Sequence, residues 1–128
     1  MKLASIDVGL KRIGVAICLN TNIVMPQNAI LRKNRIQAAR DVNIFLKEWG
    51  IEKLIVGLPL NAESSEEMER RIKHFVSLLE LTIPVAYQDE QSSSIEAKEL
   101  TQGIFRHTKD GKIDSIAAKI ILERYLTK

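Results

Sequence analysis

KLASIDVGLKRIGVAICLN, residues 2–20, settles the architecture. Residues 2–8 and 13–20 are rich in Ile and Val, and Gly9-Leu10-Lys11-Arg12 parts them, which predicts two strands joined by a short turn. Residues 23–31 predict a third strand, in which Pro26 marks an edge or a bulge because proline brings no N–H to a ladder. Downstream the period changes: Ile36, Ala39, Val42, Phe45, Leu46 and Trp49 recur at helical spacing over residues 35–49, and Gly50 follows as a stop. The nearly unbroken apolar run KLIVGL, residues 53–58, predicts a strand buried on both faces and ended by Pro59.

Ser64 and Glu67 have capping-box spacing and open a second helix, with Met68, Ile72, Phe75, Val76 and Leu79 on one stripe. PVAYQ, residues 84–88, predicts another short strand; Ser93 and Glu96 begin a helix that stops near Gly103. Residues 113–126 form the last helix, with Ile116, Ala117, Ile120 and Ile121 on its core side. Three antiparallel strands followed by alternating helices and buried strands predict an α/β fold, a mixed sheet flanked by helices, in one domain spanning residues 1–128.

Composition narrows the functional classes. With 45% apolar and 27% charged residues, three prolines and six glycines, the chain is neither disordered nor collagenous. The single cysteine, Cys18, excludes an internal disulfide framework and fits a reducing cytoplasm, and His74 and His107 beside it do not make a zinc finger. Asp7, Lys11 and Arg12 interrupt the N-terminal apolar run, so neither a signal peptide nor a membrane span is expected. A net charge of +3 permits a nucleic-acid partner without demonstrating one. The basic groups at residues 11–12, 32–35, 70–73 and 106–112 read first as solvated faces and loops.

Three acidic positions stand at the edges of apolar runs: Asp7 at the end of the first strand, Asp89-Glu90 where a strand meets a Ser-rich helix start, and Asp114 in the first turn of the last helix. Each taken alone is equally well a turn former or a helix-dipole partner. Taken together, on three different elements, they would be reconciled by a divalent cation, and all-carboxylate ligation favours Mg²⁺ or Mn²⁺ over zinc. A pair of such metals would serve phosphodiester hydrolysis, with Lys11, Arg12, Arg106, Lys109 and Lys112 holding the polyanion. His107 is a candidate proton shuttle, and the loop from Pro59 to Ser65, including Asn61, is a candidate phosphate contact that helix capping explains equally well.

IDVGLKRIGVA at residues 6–16, IVGLPLN at 55–61, VAYQDEQ at 85–91 and KIDSIAAKIIL at 112–122 resemble, in this order, the segments of the YqgF family, also called RuvX, of Holliday junction resolvase-like proteins and pre-16S rRNA nucleases. The resemblance spans the whole chain. It implies a ribonuclease H-like fold and a carboxylate triad of Asp7, Glu90 and Asp114, with Lys11 and Arg12 also matching. It further implies a cytoplasmic, Mg²⁺- or Mn²⁺-dependent nuclease that removes 5′ extra sequence from precursor 16S rRNA in the context of the ribosomal precursor particle.

Two departures stand out: Gln91 replaces the arginine that usually follows Asp-Glu, and the loop after Asn61 lacks a glycine often found there. Branched DNA is the alternative substrate, since a ribonuclease H-like site does not by itself choose between RNA and DNA. A non-catalytic RNA-binding assembly module is the rival from another class, supported by Gln91. The Asp-x-Gly turn at residues 7–9 also resembles the phosphate loop of sugar kinases and actin-like ATPases, which need two such domains and more than 128 residues. Monomer and homodimer are both compatible with the sequence, and Trp49 and Phe105 read as core or interface.

Overall fold

The computed structural model describes residues 1–20, 22–59, 65–89 and 112–127, without the side chains of residues 65 and 112–114. The elements are β1 (Lys2–Val8), β2 (Arg12–Leu19), β3 (Met25–Leu31), α1 (Arg35–Glu48), β4 (Lys53–Leu58), α2 (Ser65–Ser77), β5 (Val85–Asp89) and α3 (Lys112–Leu126). The Ser64 cap, the helix expected from Ser93 to Gly103, and Phe105 lie outside the described residues. Among the described residues no helix is long and apolar enough to cross a membrane.

The sheet runs β3-β2-β1-β4-β5. The first three strands are antiparallel neighbours, whereas β4 lies parallel to β1 and β5 parallel to β4. This is the mixed α/β sheet expected from the sequence. β3 is an edge strand, which is where Pro26 is tolerated. It also carries one extra residue between the Ile13–Ile30 and Val15–Gln27 pairs, a β-bulge that bends this edge.

Alternation along the strands divides the core in two. Ile6 of β1, Ile13, Val15 and Ile17 of β2, and Leu54, Val56 and Leu58 of β4 pack against Ala38, Ala39, Val42 and Leu46 of α1 and Ile72 and Phe75 of α2. Leu3, Ala16, Cys18 and Ile55 point to the opposite face, where Ala118, Ile121 and Leu122 of α3 cover them. The six residues of β4 are therefore buried on both sides except at Lys53.

α1 starts with a capping box that the sequence reading did not draw out. The Asn34 side chain accepts from the Gln37 amide at 2.8 Å, and the Gln37 side chain accepts in return from the Asn34 amide. Gly50, at φ +62°, closes the helix in the left-handed conformation that glycine adopts most readily. Two expectations fail: Met68 of the α2 stripe is exposed, and in α1 Ile36 is exposed and Ala38 takes its place in the core. Each i+3 step falls about 60° short of a full turn, so the run Ile36–Ala39–Val42 drifts off the buried face.

Two buried hydroxyls tie α3 to the sheet. Ser5 Oγ donates to the Ala118 carbonyl at 2.6 Å, and Ser115 Oγ accepts from the Val15 amide, beside the bulge, at 3.1 Å. Their removal is not equivalent. Ser5→Ala leaves a helical carbonyl that still has its own ladder, whereas Ser115→Ala strands a buried N–H. We expect Ser115→Ala to cost about 1–3 kcal/mol in urea unfolding and Ser5→Ala about 1 kcal/mol or less. Equal losses for the two would contradict this account.

Candidate functional site

Asp7 is half-buried on the α3 face of β1. Its cross-strand partner in β2 is Gly14, and one step beyond the Ile6–Val56 pair the parallel register brings it level with Gly57 of β4. Both neighbours on its face of the sheet thus lack a side chain, where Val, Ile or Leu would stand against the carboxylate. Gly57 in turn pairs with Gln88 of β5, so Gly14, Asp7, Gly57 and Gln88 form one row across four strands.

Gln88 is buried, and its Oε1 has no hydrogen-bond partner among the described residues. An orphaned buried acceptor is costly unless a bound group satisfies it. By strand spacing it belongs to a residue about 10 Å from Asp7 along the row. Asp7 and Gln88 are both oxygen donors, of the hard kind that Mg²⁺ or Mn²⁺ takes, but at this separation they do not ligate one ion, and among the described residues no cluster of acids, histidines or cysteines could hold a metal.

β5 and α3, the elements that lead to the other acids, come to the same end of the sheet. β5 ends at Asp89, paired with Leu58, one residue before Glu90, which lies outside the described residues. Asp114 is in the first turn of α3, and its side chain also lies outside them. The next residue, Ser115, is bonded to Val15, the neighbour of Gly14, so the α3 backbone at residue 114 is held at the Asp7 end of the sheet. Of the three proposed ligands the structure describes the Asp7 side chain alone.

The β1–β2 turn brings the expected cations to Asp7. Asp7, Gly9, Lys11, Arg12 and Gly14 line one cleft of about 570 Å³, in which Lys11 and Arg12 are exposed. The turn is tight: the Gly9 amide donates to the Arg12 carbonyl at 3.0 Å. Arg32, which the sequence reading placed among solvated cations, braces it. Its Nη1 donates to the Gly9 carbonyl at 2.8 Å, its amide donates to the Lys11 carbonyl at 2.9 Å, and its guanidinium lies 5.5 Å from the centre of the Phe75 ring. Nothing in the local sequence distinguishes Arg32 from Lys33 or Arg35; only the return of β3 alongside the turn does. Asn61, Arg106, His107 and Lys109, and the side chain of Lys112, lie outside the described residues.

Solved structures share this architecture. The fowlpox virus Holliday junction resolvase superposes with a TM-score of 0.59 at 15% identity, covering 99% of each chain. Thermus thermophilus RuvC, in complex with a Holliday junction substrate, gives 0.57 at 14% identity, over 99% of this chain and 95% of that one. The fold is that of the ribonuclease H-like resolvases.

Sequence comparison carries the assignment to a family. The model of RuvX, described as Holliday junction resolvase, matches residues 1–128, and the chain belongs to that family. A protein of Sulfurovum sp. (strain NBC37-1) named "Putative pre-16S rRNA nuclease" is 80% identical over 127 residues, 99% of each chain. One of the same name from Sulfurimonas denitrificans is 49% identical over 126 residues, 98% of this chain and 97% of that one. The protein is a nuclease, a hydrolase of phosphodiester bonds.

Proposed function

We propose that this chain is a divalent-metal-dependent endonuclease that trims the 5′ end of precursor 16S rRNA, with Asp7, Glu90 and Asp114 as metal ligands. The observation that carries the reading is the Asp7 carboxylate between two glycines, opening into a cleft shared with Lys11 and Arg12. The name borne by its relatives supports the choice of RNA. When bound, Mg²⁺ or Mn²⁺ supplies an activated water and neutralises charge on the scissile phosphate.

The chain's own residues supply the rest. Asp7 holds its place because β1 is hydrogen-bonded on both sides, so its carboxylate is positioned before substrate arrives. Lys11 and Arg12 contact phosphates next to the cleaved bond, and Asn61, Arg106, Lys109 and Lys112 extend that contact along the strand. Such contacts fix register and carry no base specificity, which leaves context to select the site: a precursor ribosomal particle in the cytoplasm.

The test is cleavage of a 5′-extended 16S rRNA fragment and of a four-way DNA junction with Mn²⁺, Mg²⁺ or EDTA. We expect RNA cutting with either metal and none with EDTA. Cutting of the junction alone would transfer the assignment to branched DNA. Metal-independent RNA binding with no cutting of either substrate would make the protein an assembly module.

A further inference from the structure

On the other side of the β1–β2 turn lies a second cavity, of about 300 Å³, to which the mechanism above gives no role. Val8, Ile72 and Phe75 make its floor. Leu10 and Met68 stand at its mouth, 71% and 48% exposed, large apolar side chains left in water. Among the described residues the charged and titratable ones that line it are Arg32, Arg35, Arg71 and His74, with no carboxylate. Arg32 is committed to the turn and to Phe75. Arg71 pairs with Glu67 across an exposed helix turn, a contact easily exchanged for a better anion. Arg35 has no acidic partner among the described residues. An apolar floor under a cationic rim matches a flat, hydrophobic group that carries an anion beside it.

The position of the cavity narrows the ligand. It shares Gly9 and Leu10 with the Asp7 cleft, so the two recesses lie on either side of a single turn. We infer that this cavity receives one unpaired nucleotide of the substrate strand, its base on Val8, Ile72 and Phe75 and its phosphate between Arg35 and Arg71, next to the phosphate presented to Asp7. Leu10 stands between the two as a wedge that separates this base from its neighbour. A base held in a duplex is stacked and paired and does not enter; a splayed base does. The inference rests on the nuclease reading only for which phosphate is cut.

Binding in EDTA tests it without cleavage. Fluorescence anisotropy would compare a short unstructured strand carrying one 2-aminopurine with the blunt duplex of the same sequence, each as RNA and as DNA. The proteins are wild type, Met68→Glu, Leu10→Ser and Arg35→Gln. These substitutions are at exposed positions, and their melting temperatures serve as the check on folding. Met68→Glu is expected to weaken single-strand binding by about tenfold or more, with duplex binding changed less than about twofold. Quenching of 2-aminopurine should fall with it and with Leu10→Ser. Arg35→Gln should lower the slope of log Kd against log salt by about one. Equal weakening of strand and duplex, or wild-type affinity in all three variants, would overturn the inference. Loss of strand preference in Met68→Glu by a wild type that cuts nothing would keep the cavity and remove the nuclease assignment. Cutting without strand preference would do the reverse.

Discussion

Asp7→Asn is expected to lower metal-dependent RNA cleavage by about a thousandfold or more while the protein stays folded. The magnitude follows from the several kcal/mol of transition-state charge stabilisation that a properly held metal supplies. The substitution keeps the size and shape of the side chain, whose strand neighbours Gly14 and Gly57 carry none. A second readout needs no substrate. A ligand that binds the native state alone raises the melting temperature, so Mn²⁺ should raise that of the wild type and not that of Asp7→Asn. Retained cleavage in the variant, or an equal Mn²⁺ shift in both proteins, would take Asp7 out of the metal site.

Gly9→Ala should produce the largest loss of stability at a surface turn. A β-carbon built there meets the Arg12 carbonyl oxygen at 2.5 Å. That oxygen is backbone and accepts the Gly9 amide, so the clash cannot be relieved by a side chain swinging away. The turn must open, and the Arg32 brace on the Gly9 carbonyl is disturbed with it. We expect a cost of about 1–3 kcal/mol, seen as a melting temperature lower by roughly 5–15 °C, and a fall in cleavage as Lys11 and Arg12 lose their alignment with Asp7. Leu10→Ala, one residue away with its side chain in water, is the control and should melt as the wild type does. A Gly9→Ala protein as stable as this control would show that the turn has room the geometry denies it.

Several elements were legible because a glycine or proline marks where they end. Gly9 parts β1 from β2, Gly50 ends α1, and Pro59 follows β4. The mixed sense of the sheet was legible because a short turn joins antiparallel neighbours, while a helical crossover returns the chain in parallel; the order β3-β2-β1-β4-β5 was not. What escaped was whatever depends on residues far apart in sequence. Ile36 and Ala38 are both apolar, and only the position of the sheet decides which is buried. Ser5 and Ser115 read as unremarkable serines until α3 lies across β1 and β2. Gly14 and Gly57 passed as ordinary members of their predicted strands, and their meaning appears when the register sets them on either side of Asp7. Asp7 itself was legible as an acid at an apolar strand end, together with the two cations that follow it. The pair of glycines that flank it in the sheet was not, since a sequence does not record which strands lie side by side.

The hydroxyl that joins Ser5 to Ala118 spans 113 residues of sequence. Contacts this distant form late, because the loop between them must close before any reward is gained. A chain emerging from the ribosome therefore has β1 and its carboxylate long before it has α3, and until then Leu3, Ala16, Cys18 and Ile55 lack their cover. Until α3 docks, the nascent sheet offers one apolar face to chaperones and proteases, so the cost of this topology falls on the chain during its synthesis and not on the finished fold.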